Sequence, residues 1–202
     1  MIKKIKRKIK EVGISNFIVG ACKIPYYKFL QKKYNFDAWH VTPFELRKYV
    51  QIVAKYVSSK EPKMVVDIGC GLGETLRHIK AEKRLGMDLQ AEAINAAKQL
   101  HRNTDIEFRI GSFEQLGTGL DIDYLITLGF MHGCPHEVWK PVYHKVCKEN
   151  NIEYVIVDST KTTEGSYQLD FSKILPSCYV EEKKIGPLLG GRYLYIYKKN
   201  KK

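Results

Sequence analysis

The sequence predicts an α/β fold: a mostly parallel seven-stranded sheet flanked by helices, with an antiparallel strand pair at the C-terminal end and a helical lid at the N-terminal end. Three observations carry this. From residue 64 onward, short β-branched runs alternate with amphipathic stretches, the pattern of a parallel sheet covered on both faces. The first run empties into VVDIGCGLGE at residues 65–74, a glycine-rich turn that brings backbone close to a ligand. After residue 175 the alternation stops. CYVEEKKIG and RYLYIYKK then form two β-rich runs around Gly-Pro and Gly190-Gly191, as an antiparallel pair added at a sheet edge does.

The elements follow in order. IKKIKRKIKEV at residues 2–12 spaces Ile2, Ile5, Ile9 and Val12 by three, four and three, which places them on one helical face with lysines around it. Residues 14–36 carry six aromatics and predict a helical lid broken near Pro25. Thr42-Pro43 reads as a helix start, with Thr42 as cap, running on through FELRKYVQIVAKYV. Strands are expected over 64–68, 83–88, 106–110, 122–128 and 153–158, with helices over 74–80, 90–101 and 136–149 and a short helical piece near 113–116. The chain divides into an N-terminal basic helix and lid, residues 1–58, and a ligand-binding domain, residues 59–202.

Composition narrows the classes. The length of 202 residues suits one domain with a sizeable core and a short appendage. No apolar run approaches the ~20 residues of a membrane span, and the basic N-terminus lacks the apolar core of a signal peptide. A cytoplasmic location is expected, with a peripheral contact to the inner membrane face as the variant. The five cysteines form no C-x-x-C pair, so no metal site is expected. The net charge of +12 sits at the ends: residues 1–33 carry +9, the last five residues +4, and residues 34–197 only −1. A broad basic face for nucleic acid is therefore not expected. Residues 2–12 read either as a solvated helix packed by its thin stripe or as a membrane-surface contact.

The glycine loop departs from a dinucleotide turn. Gly69, Gly71 and Gly73 give G-x-G-x-G, and Glu74 stands where the third glycine of G-x-G-x-x-G falls. The strand before it ends in Asp67, which would repel a pyrophosphate and suits an ammonium group. The second strand ends in Asp88, placed to accept both hydroxyls of a ribose. A ligand with an amino-acid end and an adenosine is S-adenosylmethionine.

On VVDIGCGLGE, GMDL, IGSFEQL and IDYLITLGFMHG the sequence resembles the Rossmann-like, class I S-adenosylmethionine-dependent methyltransferases, over roughly residues 60–200. The resemblance implies that Asp67 and the loop Gly69, Cys70, Gly71 and Gly73 hold the methionine part, and that Asp88 and Leu89 take the ribose. It also implies adenine contacts after the third strand, at the Ser112 hydroxyl, the Phe113 backbone or Glu114, where many members carry an acid in place of Ser112. Phe130 lies at the cofactor's edge after the fourth strand.

Methyl transfer requires placement of a nucleophile against the methyl group, and a hydroxyl acceptor benefits from a base. His132, just after the fourth strand, is the first candidate base, and His40 in NFDAWHVTPFELRKY the second. His136, at a helix start, fits capping. Trp39 can stack on a ring or screen the sulfonium. Arg47 and Tyr49 can hold an anionic acceptor, and Asp158 at the end of the fifth strand is a candidate acceptor contact. After the fourth strand the chain reads L-G-F-M-H-G, without the N-P-P-Y-type tetrapeptide of amide and base N-methyltransferases. WHVTPFELRKY, IGCGLGE and FMHGCPHEVW together are similar to small methyltransferases of bacterial polysaccharide and capsule gene clusters. That second resemblance implies polysaccharide biosynthesis and O-methylation of a sugar, nucleotide sugar or phosphorylated precursor. Two other readings stay open: an RNA methyltransferase gripping phosphates with its basic ends, and a cofactor-binding regulator without activity.

Overall fold

A computed structural model describes residues 2–160 and 166–200. Two lysines of the basic C-terminal end, Lys201 and Lys202, lie outside the described residues. The chain runs through α1 (Ile2–Val12), α2 (Ile14–Tyr34), α3 (Lys48–Ser58), β1 (Met64–Ile68), α4 (Glu74–Arg77), β2 (Lys83–Asp88), α5 (Ala91–Leu100), β3 (Ile106–Ile110) and β4 (Asp121–Thr127). It continues through α6 (His136–Glu149), β5 (Asn151–Ser159), α7 (Phe171–Ile174), β6 (Tyr179–Leu188) and β7 (Arg192–Lys199). The strands form one sheet in the order β3-β2-β1-β4-β5-β7-β6. The first five are parallel to one another, while β7 runs antiparallel between β5 and β6, as expected at that edge.

The two-residue period of the strands sorts their side chains onto two faces. Val66, Ile68, Leu125 and Val155 point to the face covered by α6 and α7, where they meet Tyr143 and Phe171. Val65, Tyr124, Ile126 and Ile156 point to the face covered by α3 and α5, where they meet Val53, Val57 and Ile94. A third cluster joins Tyr27 and Leu30 of α2 to Leu72 and to Ala93 and Ala96 of α5. The strand order reverses between β1 and β4, and in such a sheet the crevice for ligands opens at the carboxyl ends of those strands. No helix among the described residues is long and apolar enough to cross a membrane.

The N-terminal segment differs from expectation in two places. Pro25 does not break α2, which runs unbroken from Ile14 to Tyr34. Proline removes one hydrogen bond, to the carbonyl of Ala21, and both residues lie on the exposed side, where water can take that carbonyl. Nor does a helix begin at Thr42-Pro43. A short 3-10 turn spans Phe44–Leu46, and α3 begins only at Lys48. Side chains fill the gap in backbone bonding: Gln51 donates to the carbonyls of Phe44 and Glu45, and Lys8 donates to that of Leu46.

Glu74 explains why a third glycine is absent from the loop. Its buried carboxylate accepts the hydroxyl of Tyr27 on α2 and, at 2.8 Å, the backbone N–H of Phe44. One side chain at the start of α4 thus pins the helical lid to the glycine turn. Replacing Glu74 with Ala leaves the buried Tyr27 hydroxyl and the Phe44 N–H unpaired. The expected loss is about 2–4 kcal/mol of unfolding free energy, read as a lower urea midpoint. An unchanged midpoint would remove Glu74 from this role.

Candidate active site

The glycine loop is built for close approach. The N–H groups of Gly69 and Cys70 both reach the Met87 carbonyl of β2, at 2.8 and 3.0 Å, which folds the turn back over the sheet edge. Gly69, Gly71 and Gly73 all take positive φ, at 76°, 54° and 71°. A side chain at 69 would run into the Phe130 ring, and one at 71 into the His40 ring. Asp88 sits beside them. One of its oxygens accepts the Gly71 N–H at 2.8 Å and the other the Gln90 N–H at 2.9 Å. Each oxygen keeps a lone pair for a further donor, so the carboxylate is fixed in place and still able to bind a diol.

A cleft of about 840 Å³ opens at this point. Twelve of the residues expected at the site line it: Trp39, His40, Arg47, Tyr49, Gly69, Cys70, Gly71, Asp88, Leu89, Ser112, Phe130 and His132. Its size suits a nucleoside-bearing ligand with a small second molecule. Besides the exposed Glu114, four expected residues do not line it. Gly73 turns the chain beneath the loop, where its missing side chain makes room for Phe108. Phe113 is buried against Trp139 and Tyr143. Asp67 shares the parity of Val65 on β1 and is buried under the loop. Burial, reinforced by the charge of Asp88, pushes its carboxyl up to about 8, and Arg47 pulls the other way.

Asp158 is the fourth, and its expected contact with an acceptor is not what its surroundings allow. It is buried, accepts the Gly129 N–H at 2.7 Å and forms an ion pair with Arg192. Register accounts for the pair. Asp158 lies opposite Leu194, so Arg192, two residues back on the same face of β7, reaches over the end of β5. The Arg192 guanidinium also stacks on the Tyr49 ring at 4.1 Å. Asp158 therefore positions Arg192, and it is Arg192 that lines the cleft. Arg192, Gln90 and Lys8 were not singled out from the sequence. The signal for Arg192 was available only in the pairing register of two strands far apart in the chain.

Two imidazoles face the cleft. His40 lies on a 3-10 turn, Ala38–Val41, and its Nε2 accepts the Trp39 indole N–H at 3.1 Å. Burial lowers its pKa, with Asp88 opposing. His132 lies on the turn after β4, and burial and the nearby Arg192 both lower its pKa. Both rings are therefore neutral at neutral pH; His132 can accept a proton, whereas the acceptor nitrogen of His40 is taken by Trp39. His136 does not cap α6; its Nε2 accepts the Asp170 N–H at 2.7 Å and ties in the start of α7. Arg47 adds a cation whose buried Nε has no hydrogen-bond partner among the described residues.

The comparisons agree with this architecture. Residues 65–150 match a family described as "Methyltransferase domain". No curated protein sequence matches the chain. Among solved structures, it is similar to N-methyltransferase NodS from Bradyrhizobium japonicum WM9 in complex with S-adenosyl-L-homocysteine, with a TM-score of 0.68, 16% identity, and coverage of 87% of this chain and 98% of that one. It is also similar to magnesium protoporphyrin IX methyltransferase from Synechocystis PCC 6803 with bound S-adenosylhomocysteine, with a TM-score of 0.65, 14% identity, and coverage of 91% and 99%. A third likeness is to an rRNA methylase from Escherichia coli, with a TM-score of 0.57, 19% identity, and coverage of 77% and 65%.

Proposed function

We propose that this chain is a class I, Rossmann-like S-adenosylmethionine-dependent methyltransferase, a reading supported by the methyltransferase-domain match over residues 65–150, and that it methylates an oxygen of a small polar acceptor carrying negative charge. The observation that carries this reading is the make-up of one cleft. It holds the Gly69–Gly71 turn and Asp88 together with two neutral imidazoles and the cations Arg47 and Arg192.

The residues fit the cofactor. The open turn at Gly69 and Gly71 leaves room where side chains would collide, and Asp88 retains lone pairs for the ribose hydroxyls. Asp67, buried beneath the turn and outside the cleft lining, acts on the ammonium end by its charge alone, and the guanidinium of Arg47 can meet an anion. The cofactor brings a methyl carbon already activated on a sulfonium. The chain's work is placement and proton transfer. His132 takes the proton of the acceptor hydroxyl. His40, whose Nε2 is engaged by Trp39, stays beside the loop as a wall of the cleft. Arg192, held by Asp158 and Tyr49, faces the acceptor's anionic group. Sugars and nucleotide sugars bearing phosphate or carboxylate meet these demands, and the resemblance to methyltransferases of bacterial polysaccharide and capsule gene clusters implies acceptors of that kind. An RNA acceptor is disfavoured by the near-neutral charge of residues 34–197.

The test uses cofactor labelled on its methyl group, incubated with the purified protein and a cell extract. Label in small soluble anionic molecules is the expected result. Label in RNA would overturn the reading. A second prediction concerns protons. An ammonium group bound above the turn favours the Asp67 carboxylate beneath it, so ligand binding below pH 8 releases a proton from a carboxyl standing at about 8. Affinity for S-adenosylhomocysteine is expected to rise from pH 6 to pH 8, by up to about tenfold per unit. Titration calorimetry in two buffers of different ionisation enthalpy reads the proton directly. Proton release that persists in Asp67→Asn would assign it to another group.

A further inference from the structure

The N-terminal helices present an apolar surface that the fold does not cover. At 100° per residue, Ile14, Ile18, Cys22 and Phe29 of α2 fall within about 80° of one another, and Tyr26 and Val19 extend the arc to about 140°. All six side chains are exposed, with Ile14 at 66% and Phe29 at 60%. Past the edge of that arc, Leu30 and Tyr27, at about 160° and 220° on the same wheel, pack on Leu72 and α5. An apolar arc of this width on a helix is normally the arc that is buried, and on α2 it faces outward with Lys32 and Lys33 beside it. The stripe of α1 behaves in the same way. Val12 is buried at its C-terminal end, while Ile5 and Ile2 stand in the open, Ile2 at 69%. Seven of the thirteen exposed large apolar side chains among the described residues lie between Ile2 and Phe29.

Charge on the same two helices identifies the partner. Lys3, Lys4, Lys6, Arg7 and Lys10 of α1 are all exposed, as are Lys28, Lys32 and Lys33 of α2. Residues 1–33 carry +9, so two copies of this face repel each other. Aliphatic side chains such as Ile2, Ile14 and Ile18 offer nothing to a phosphate backbone, and nothing to the base stacking that holds single strands. Exposed aliphatics and a phenylalanine set among lysines match the interface of an anionic bilayer, with apolar side chains in the acyl boundary and cations among the headgroups. We propose that α1 and α2 dock this protein on an anionic lipid surface.

The placement of α1 links the surface to the cleft. Lys8 and Glu11 line the cleft, Lys8 donates to the Leu46 carbonyl at 3.0 Å, and the exposed Trp39 stands on the rim. A membrane under α1 and α2 therefore lies beside the mouth of the site. Docking does not depend on which acceptor is methylated.

Co-sedimentation of the full chain with phosphatidylcholine vesicles, and with vesicles that also contain phosphatidylglycerol, tests this. Binding is expected only to the anionic vesicles, falling with added salt. Ile18→Asp combined with Phe29→Asp is expected to weaken it at least about tenfold, and Lys3→Glu combined with Lys6→Glu by a similar factor. Both positions of each pair are exposed, and unchanged S-adenosylhomocysteine binding shows that the variants are folded. Equal binding to both vesicle types, or binding that survives Ile18→Asp with Phe29→Asp, overturns the proposal. So does failure to bind either vesicle, whether or not the same substitutions abolish RNA binding or a dimer. Loss of methyl transfer to every soluble acceptor, with vesicle binding intact, would count against the proposed function and leave the docking surface standing.

Discussion

Gly69→Ala is expected to weaken S-adenosylhomocysteine binding by more than about 100-fold, equivalent to about 2.7 kcal/mol. Two costs meet at this residue. Its φ of 76° lies in the left-handed region, which charges an alanine roughly 1–2 kcal/mol. In addition, the new Cβ would stand 2.5 Å from two atoms of the Phe130 ring. That ring cannot easily retreat, since Trp139 packs edge-on against it at 5.7 Å and is itself anchored by a hydrogen bond to the Met131 carbonyl. The turn must therefore shift, carrying the Gly71 N–H away from Asp88. Gly117→Ala is the matched control. Its φ of 88° exacts the same backbone cost, but no atom lies within 4 Å of the added Cβ. It should lower stability by about 1 kcal/mol and leave ligand binding unchanged. Titration calorimetry and thermal unfolding of the two variants separate the effects. Equal binding loss in both would mean that the loop's glycines serve only the chain's own turn.

The elements that could be read from the sequence are those whose signals are local. The parallel strands follow from β-branched runs, and the loop from three glycines at alternate positions, all of which take positive φ. Asp88 was legible because the end of β2 lies one crossover from the loop. What could not be read depends on partners distant in the chain. Nothing near Glu74 announces that it holds Tyr27 and Phe44, 47 and 30 residues away. Asp158 illustrates the point at the site. An acid at a strand end reads as a ligand contact, but an antiparallel neighbour arriving 34 residues later brings an arginine to neutralise it. Pro25 failed as a break for a different reason. Helix rupture is enforced where the freed carbonyl is buried, and at Ala21 it is not.

His132→Ala is expected to lower kcat by about 100-fold or more while leaving S-adenosylhomocysteine affinity within about twofold. His132 lines the cleft from the turn after β4 and is no part of the glycine loop or of the Asp88 hydrogen bonds, so removing its ring leaves that turn intact. The pH profile supplies the second readout. Burial and Arg192 both disfavour the imidazolium, so the acid limb of the kcat profile should fall below the usual imidazole range. Neutralising Arg192 removes one of those two influences. Arg192→Gln should therefore move the acid limb upward, and it should also raise KM for an anionic acceptor. Asp158→Asn frees Arg192 from its partner and should disturb KM more than the limb. His40→Ala offers the contrast. His40 lies over Gly71, and its loss should weaken cofactor binding before it affects the chemistry. If turnover survives in His132→Ala and vanishes in His40→Ala with binding intact, the base is His40, whose Nε2 must then release the Trp39 indole N–H to take the proton.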